Sequence, residues 1–170
     1  MNKELITELD DTATALTQVV SSFEPQAFNT APFPGSWTPA QVADHILKSL
    51  SGIPEIIYGK TKSTQRVPNE KEEGIKSLFL NFDIKMQSPE FILPENKTYD
   101  KSRLLKALQT VFAKIKDVIQ MNDPEATCLG FEFPGFGYLT VYEWGRFAVY
   151  HTQRHIHQLK NIRQKLINGN

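Results

Sequence analysis

Apolar residues recur at three- and four-residue intervals in four long stretches of the chain, with polar positions between them, which is the period of amphipathic helices. The first stretch runs from about Lys3 to Phe23 and places Leu5, Leu9, Leu16, Val19 and Val20 on one stripe; Pro25 follows its end. AFNTAPFPGSW comes next and, with two prolines and a glycine, reads as a loop. The second helix has a sharp start. Thr38 suits the N-cap, Pro39 the first helical position, and Gln41 completes a capping box. Val42, Ile46 and Leu50 form its apolar stripe, His45 sits beside it, and Gly52 and Pro54 weaken or kink it.

The third helix spans about Ser102 to Met121, where Leu104, Leu108, Val111, Phe112, Ile115 and Ile119 belong to a broad apolar face. Asp123-Pro124 closes it. A fourth helix opens on a second capping box, Thr140 with Glu143, and continues to about Ile167 with a stop before Gly169. Its inward stripe reads Trp144, Ala148, His151, His155, Leu159, Ile162 and Leu166. Between these helices, residues Gly59 to Gly74 are polar and lysine-rich and read as an exposed loop. A short, weakly marked helix is expected around Glu72–Phe82, and SPEFILPENKTYD reads as a connection. CLGFEFPGFGYL reads as either a short hairpin or an aromatic lid. Four amphipathic helices of this length imply an all-α fold, a four-helix bundle forming one domain over residues 1–170.

Composition narrows the function classes. A chain of 170 residues is long enough to bury a real core. Lys plus Arg equals Asp plus Glu at 19 each, so there is no global basic field to attract nucleic acid. The lysine-rich stretch near residues 60–76 is interleaved with acids, as a solvated loop is. No run approaches the roughly 20 apolar residues that span a bilayer, so no membrane partner is expected. The opening residues, MNKELITELDDTATAL, lack the apolar run of a secretory signal. Cys128 is the only cysteine and cannot form an internal disulfide, which fits a reducing cytoplasm.

The candidate chemistry lies in VYHTQRHIHQLKNI. His151 and His155 are four residues apart, about 40° of rotation and about 6 Å of rise on a helix, so both rings leave the same side. That spacing can present two nitrogen ligands to one metal ion, and His45 on the second helix offers a third. The plain alternative is that they are helix residues bonded to backbone or water. Buried without partners, each imidazole would cost about 1–3 kcal/mol. Thr152, Gln153 and Arg154 fill the gap between the pair, so the Glu of an HExxH protease is missing. His157 lies about 200° around the helix from His155 and reads as a solvent-side residue.

Three histidines leave a coordination position open, as in catalytic rather than structural zinc sites. Imidazole suits zinc, nickel, copper and iron; zinc is preferred here and nickel comes next. Gln158 and Arg154 are candidates for orienting a ligand or anchoring substrate, against the simpler reading of each as a surface or interhelical residue. Asp44 reads as a solvated charge, Glu143 as a cap and Cys128 as a small apolar group. Trp37, Phe136 and Trp144 are either core aromatics or the lining of an approach to the metal.

Three passages resemble the DinB-like superfamily, which includes YfiT-type metal-dependent hydrolases and bacillithiol transferases. SWTPAQVADHI (36–46) resembles the family's entry to helix two, ending on the first metal histidine. PGFGYLTVYEWGRFAVYH (134–151) resembles its glycine-bearing lead-in to the last helix, and HTQRHIHQL (151–159) its paired-histidine signature. The resemblance implies an up-down-down-up bundle with His45, His151 and His155 as ligands. It also implies a homodimer and a metal-dependent enzyme, a thiol transferase or hydrolase, acting on a small molecule, with a low-molecular-weight thiol as cosubstrate. The alternative is a non-catalytic metal-binding or stress-associated interaction module in which the ion staples two helices.

Overall fold

The amphipathic stripes fold where their periodicity places them. In the computed structural model, which describes residues 2–168, the chain runs α1 (Asn2–Ser21), α2 (Pro25–Phe28), α3 (Pro39–Ser51), α4 (Ile53–Tyr58), β1 (Thr61–Lys62) and α5 (Glu72–Leu80). A 3₁₀ turn follows at Glu90–Ile92, then α6 (Lys101–Met121), β2 (Thr127–Phe133), β3 (Gly137–Thr140) and α7 (Val141–Asn168). The stop expected at Gly169 lies outside the described residues. Among those residues no helix is long and apolar enough to cross a membrane.

Both capping boxes form. Gln41 N donates to Thr38 Oγ1 at 3.1 Å while Thr38 N donates to Gln41 Oε1 at 2.9 Å. Thr140 and Glu143 repeat the exchange at 3.1 and 2.9 Å, which starts α7 directly from the end of β3. The chain breaks at Gly52, two residues before Pro54, separating α3 from α4.

α1 and α3 each pack on both α6 and α7. Leu5, Leu9 and Leu16 of α1 and Ile115 and Ile119 of α6 are almost wholly buried there. Gly145 marks the tightest crossing. A Cβ at that position would meet Leu5 Cδ2 at 2.6 Å and Ile119 Cδ1 at 2.9 Å, so the absence of a side chain lets α7 approach both neighbours. Every residue of α7 from Val141 to Thr152 is buried. Its inward stripe is therefore only one of two covered faces, because α5 and the β-hairpin lie over the other.

The all-α expectation needs one correction. β1, β2 and β3 form an antiparallel sheet in that order, with Thr61 opposite Cys128 and Thr127 opposite Thr140. CLGFEFPGFGYL is thus a hairpin, turned at Gly135 and Gly137, whose φ values of +79° and +67° favour glycine. β1 comes from the stretch expected to be loop; a two-residue strand is too short to carry a readable alternation. The fold is a four-helix bundle with a small three-stranded sheet against one end of α7 and α4.

Candidate metal centre

His45 projects from α3, and His151 and His155 from successive turns of α7, at the place where these two helices pack. All three are buried, with relative exposures of 2, 5 and 8%. His151 Nε2 lies 3.3 Å from His45 Nε2 and 3.2 Å from His155 Nε2. One ligand atom of each residue lies within 4.8 Å of those of the other two.

The outward nitrogens reveal which atoms carry protons. His45 Nδ1 is 2.9 Å from the carbonyl oxygen of Ile92, which can only accept, so Nδ1–H donates. His155 Nδ1 donates in the same way to Gln158 Oε1 at 2.8 Å. Both rings therefore turn an Nε2 lone pair inward. His151 Nδ1 is buried with no partner. If its proton sits there, three lone pairs face one another; if the proton sits on Nε2, it satisfies one neighbour and leaves other nitrogens orphaned. Either arrangement leaves an unmet penalty of about 1–3 kcal/mol per group.

The residues fit a divalent cation. Two imidazole nitrogens at about 2.0–2.1 Å from a tetrahedral zinc stand about 3.3–3.4 Å apart, close to the separations found here. A cation would take up every inward lone pair at once. Protonation does not compete at neutral pH, because burial, reinforced by the neighbouring rings, holds His151 well below the usual histidine value and His155 at about 3. Burial also lowers His45, with the bond to Ile92 and the charge of Asp44 opposing it. Neutral imidazole is the form that binds metal.

The centre opens on a cavity of about 1060 Å³. Trp37 packs 5.2 Å from the His45 ring, and Phe79 and Phe147 pack 5.6 and 5.2 Å from His151, between ring centroids. Trp37 and Trp144 both line the cavity. Phe136 does not line it. Its ring sits under Gly74, where a Cβ would meet Cε1 at 2.8 Å, and 5.9 Å from that of Phe133.

Gln158 touches His155 directly, as above. Arg154 instead donates to the carbonyl oxygens of Phe79, Asn81 and Ile84, clipping the end of α5 and the following segment to α7. It also lines the cavity. His157 is exposed and stacks on Phe82 at 4.0 Å. Cys128 packs as a buried thiol, its pKa pushed up to about 11 by desolvation.

Asp44 corrects its expectation as a solvated charge. It is buried, accepts a hydrogen bond from the Tyr99 hydroxyl at 3.0 Å, and pairs with Lys48 at 3.2 Å. The segment from Ile92 to Tyr99 folds over α3 and covers it. Glu143 is the expected cap and more: its carboxylate also takes a bidentate pair from Arg66 at 2.7 and 2.5 Å. The Ile92 carbonyl and Arg66 had no signal in the sequence, since each meets its partner across 47 and 77 residues of chain.

A helical bundle with three imidazoles from two helices converging beside a cavity defines a class, the four-helix bundle with a candidate metal site between two of its helices. The sequence pattern of the DinB superfamily matches residues 8–159, and the chain belongs to that superfamily. It is 23% identical over 141 residues to the uncharacterized protein YuaE of Bacillus subtilis (strain 168), covering 83% of this chain and 86% of that one. Its fold is similar to that of TT2238, a four-helix bundle protein, with a TM-score of 0.60 and 20% identity over 95% of this chain and 99% of that one. It is also similar to YfiT from Bacillus subtilis, described as a probable metal-dependent hydrolase with an unusual four-helix bundle topology. There the TM-score is 0.62 and the identity 17%, covering 97% of this chain and 87% of that one.

Proposed function

We propose that His45, His151 and His155 hold one divalent cation, zinc first and nickel next, and that the chain is a metal-dependent enzyme acting on a small molecule. The observation that carries this reading is the convergence of three Nε2 atoms beside a large cavity. Among the described residues no Cys, Asp or Glu joins the three histidines in a fourth ligand position. This supports an enzyme over the alternative, an ion serving only as a staple between α3 and α7. The description of YfiT as a probable metal-dependent hydrolase supports it from the side of fold.

A cation held there supplies Lewis acidity. The protein's own residues do the rest. The Ile92 carbonyl and Gln158 hold two imidazoles with their lone pairs inward. Trp37, Phe79 and Phe147 press on the rings and keep water from their faces. The reaction class we favour is transfer of a low-molecular-weight thiol to an electrophile, with hydrolysis second. The lining supplies no carboxylate among the described residues to take a proton from water.

Untagged protein should bind one zinc per chain. Its turnover should depend on that metal in a panel of thiol-plus-electrophile pairs or of esters and amides, measured with and without chelator. Fully metallated protein with no metal-dependent turnover across both panels would sink the enzyme reading.

A further inference from the structure

We infer that the cavity takes a small molecule with an apolar, ring-bearing body and one anionic group. The inference rests on the reading of the histidine centre as the working end of this cavity and adds the class of molecule that enters it. The inner walls are apolar and buried: Ile53, Phe79, Trp144 and Phe147 all line the space. A polar body would lose its hydration there and find few partners.

Charge is segregated around the same space. Lys48, Lys85, Arg154 and Lys165 line it, and no Asp or Glu does among the described residues, in a chain whose charges sum to zero. Lys48 is compensated by Asp44 at 3.2 Å. The other three have no carboxylate partner among the described residues. Arg154 meets only backbone carbonyls, and Lys165 stands over the Phe33 ring at 4.5 Å. Lys85 and Lys165 are exposed, so the positive charge is at the rim while the aromatic walls lie inside. Such a rim beside a low-dielectric wall concentrates field and favours anions over neutral or cationic molecules of the same shape. An amphiphile with its rings inside and its carboxylate or sulfonate at the rim satisfies both halves of the cavity.

The test uses two dyes with one body, 1-anilinonaphthalene-8-sulfonate and the uncharged N-phenyl-1-naphthylamine. The chain has two tryptophans, Trp37 and Trp144, and both line the cavity, so quenching of their emission reports occupancy. Chelator-treated protein should bind one sulfonate dye per chain with tryptophan quenching, at least about fivefold more tightly than the uncharged dye. The exposed double variant Lys85→Glu/Lys165→Glu should weaken sulfonate-dye binding by about tenfold and leave the uncharged dye within about twofold. Equal affinities for the two dyes, a sulfonate preference that survives charge reversal, or no saturable quenching would each overturn the inference. Because dye binding needs no metal, these results are separate from the fate of the histidine centre. Metal uptake without dye preference sinks the inference alone, and dye preference without metal uptake sinks the reading of the centre alone.

Discussion

Two buried polar clusters lie along α7, and they are built on opposite principles. Near its start, Glu143 is fully buried, yet its carboxylate accepts four hydrogen bonds, two from Arg66 and one each from the backbone N–H groups of Lys71 and Thr140. Every lone pair has a donor and the charge has its counter-charge. Two to three turns later, His151 and His155 meet His45 with nitrogens facing nitrogens and His151 Nδ1 unpartnered. The first cluster is closed and the second is open. A saturated buried network holds structure together, whereas convergent unmet acceptors call for a ligand from outside.

The largest effect should come from opening the closed cluster. Glu143→Ala leaves the Arg66 guanidinium without its carboxylate and removes the cap of α7, so stability in denaturant titration should fall by about 3–5 kcal/mol. Metal stoichiometry of the fraction that folds should not change. If stability falls by less than about 1 kcal/mol, the cluster is not closed in the sense argued.

His151→Phe should do the reverse. It replaces an unsatisfied ring with an apolar one beside Phe79 and Phe147, so the metal-free variant should keep its stability within about 1 kcal/mol. Zinc at one hundred times its Kd should raise wild-type stability by about 2.7 kcal/mol and the variant's not at all, as thermal melts with and without zinc would show. Strong destabilisation of the metal-free variant would place His151 in the structural class with Glu143.

Gln158→Ala sharpens the contrast within the open cluster. It frees His155 Nδ1 from its acceptor and should weaken zinc binding by about tenfold in competition with a chromogenic chelator. An unchanged affinity would show that Gln158 does not hold the ring.

Near neutral pH the smallest effect is the pH dependence of the metal-free protein. Folded His155 sits at about 3 against 6.5 for an ordinary histidine, so below 6.5 the unfolded chain binds a proton that the folded chain refuses. The stability tied to this ring is therefore intact above pH 6.5 and lost progressively between 6.5 and 3, with about 1.4 kcal/mol gone by pH 5.5. Zinc should suppress the slope. A flat urea midpoint over this range would mean that water or a proton already relieves the cluster.

Much of the frame was legible beforehand because helices are local objects. The stripe from Leu5 to Val20, the boxes at Thr38 and Thr140, and the four-residue step from His151 to His155 need only the helical period and neighbours three or four residues away. Asp44 misled for the same reason. Its position on α3 points away from His45, and only the return of Tyr99 from 55 residues downstream buries it. β1 was invisible because its partner, Cys128, lies far along the chain and two residues carry no alternation.

The chain alone thus determined which segments coil, where they start, and that two imidazoles share one side of the last helix. Packing decided what those imidazoles meet. It brought His45 across from α3, capped its ring with the Ile92 carbonyl, saturated Glu143 with Arg66 and left the histidine nitrogens facing a cavity. The division follows from range: backbone hydrogen bonds of a helix close within four residues, whereas the satisfaction of a buried side chain depends on which distant segment comes to rest against it.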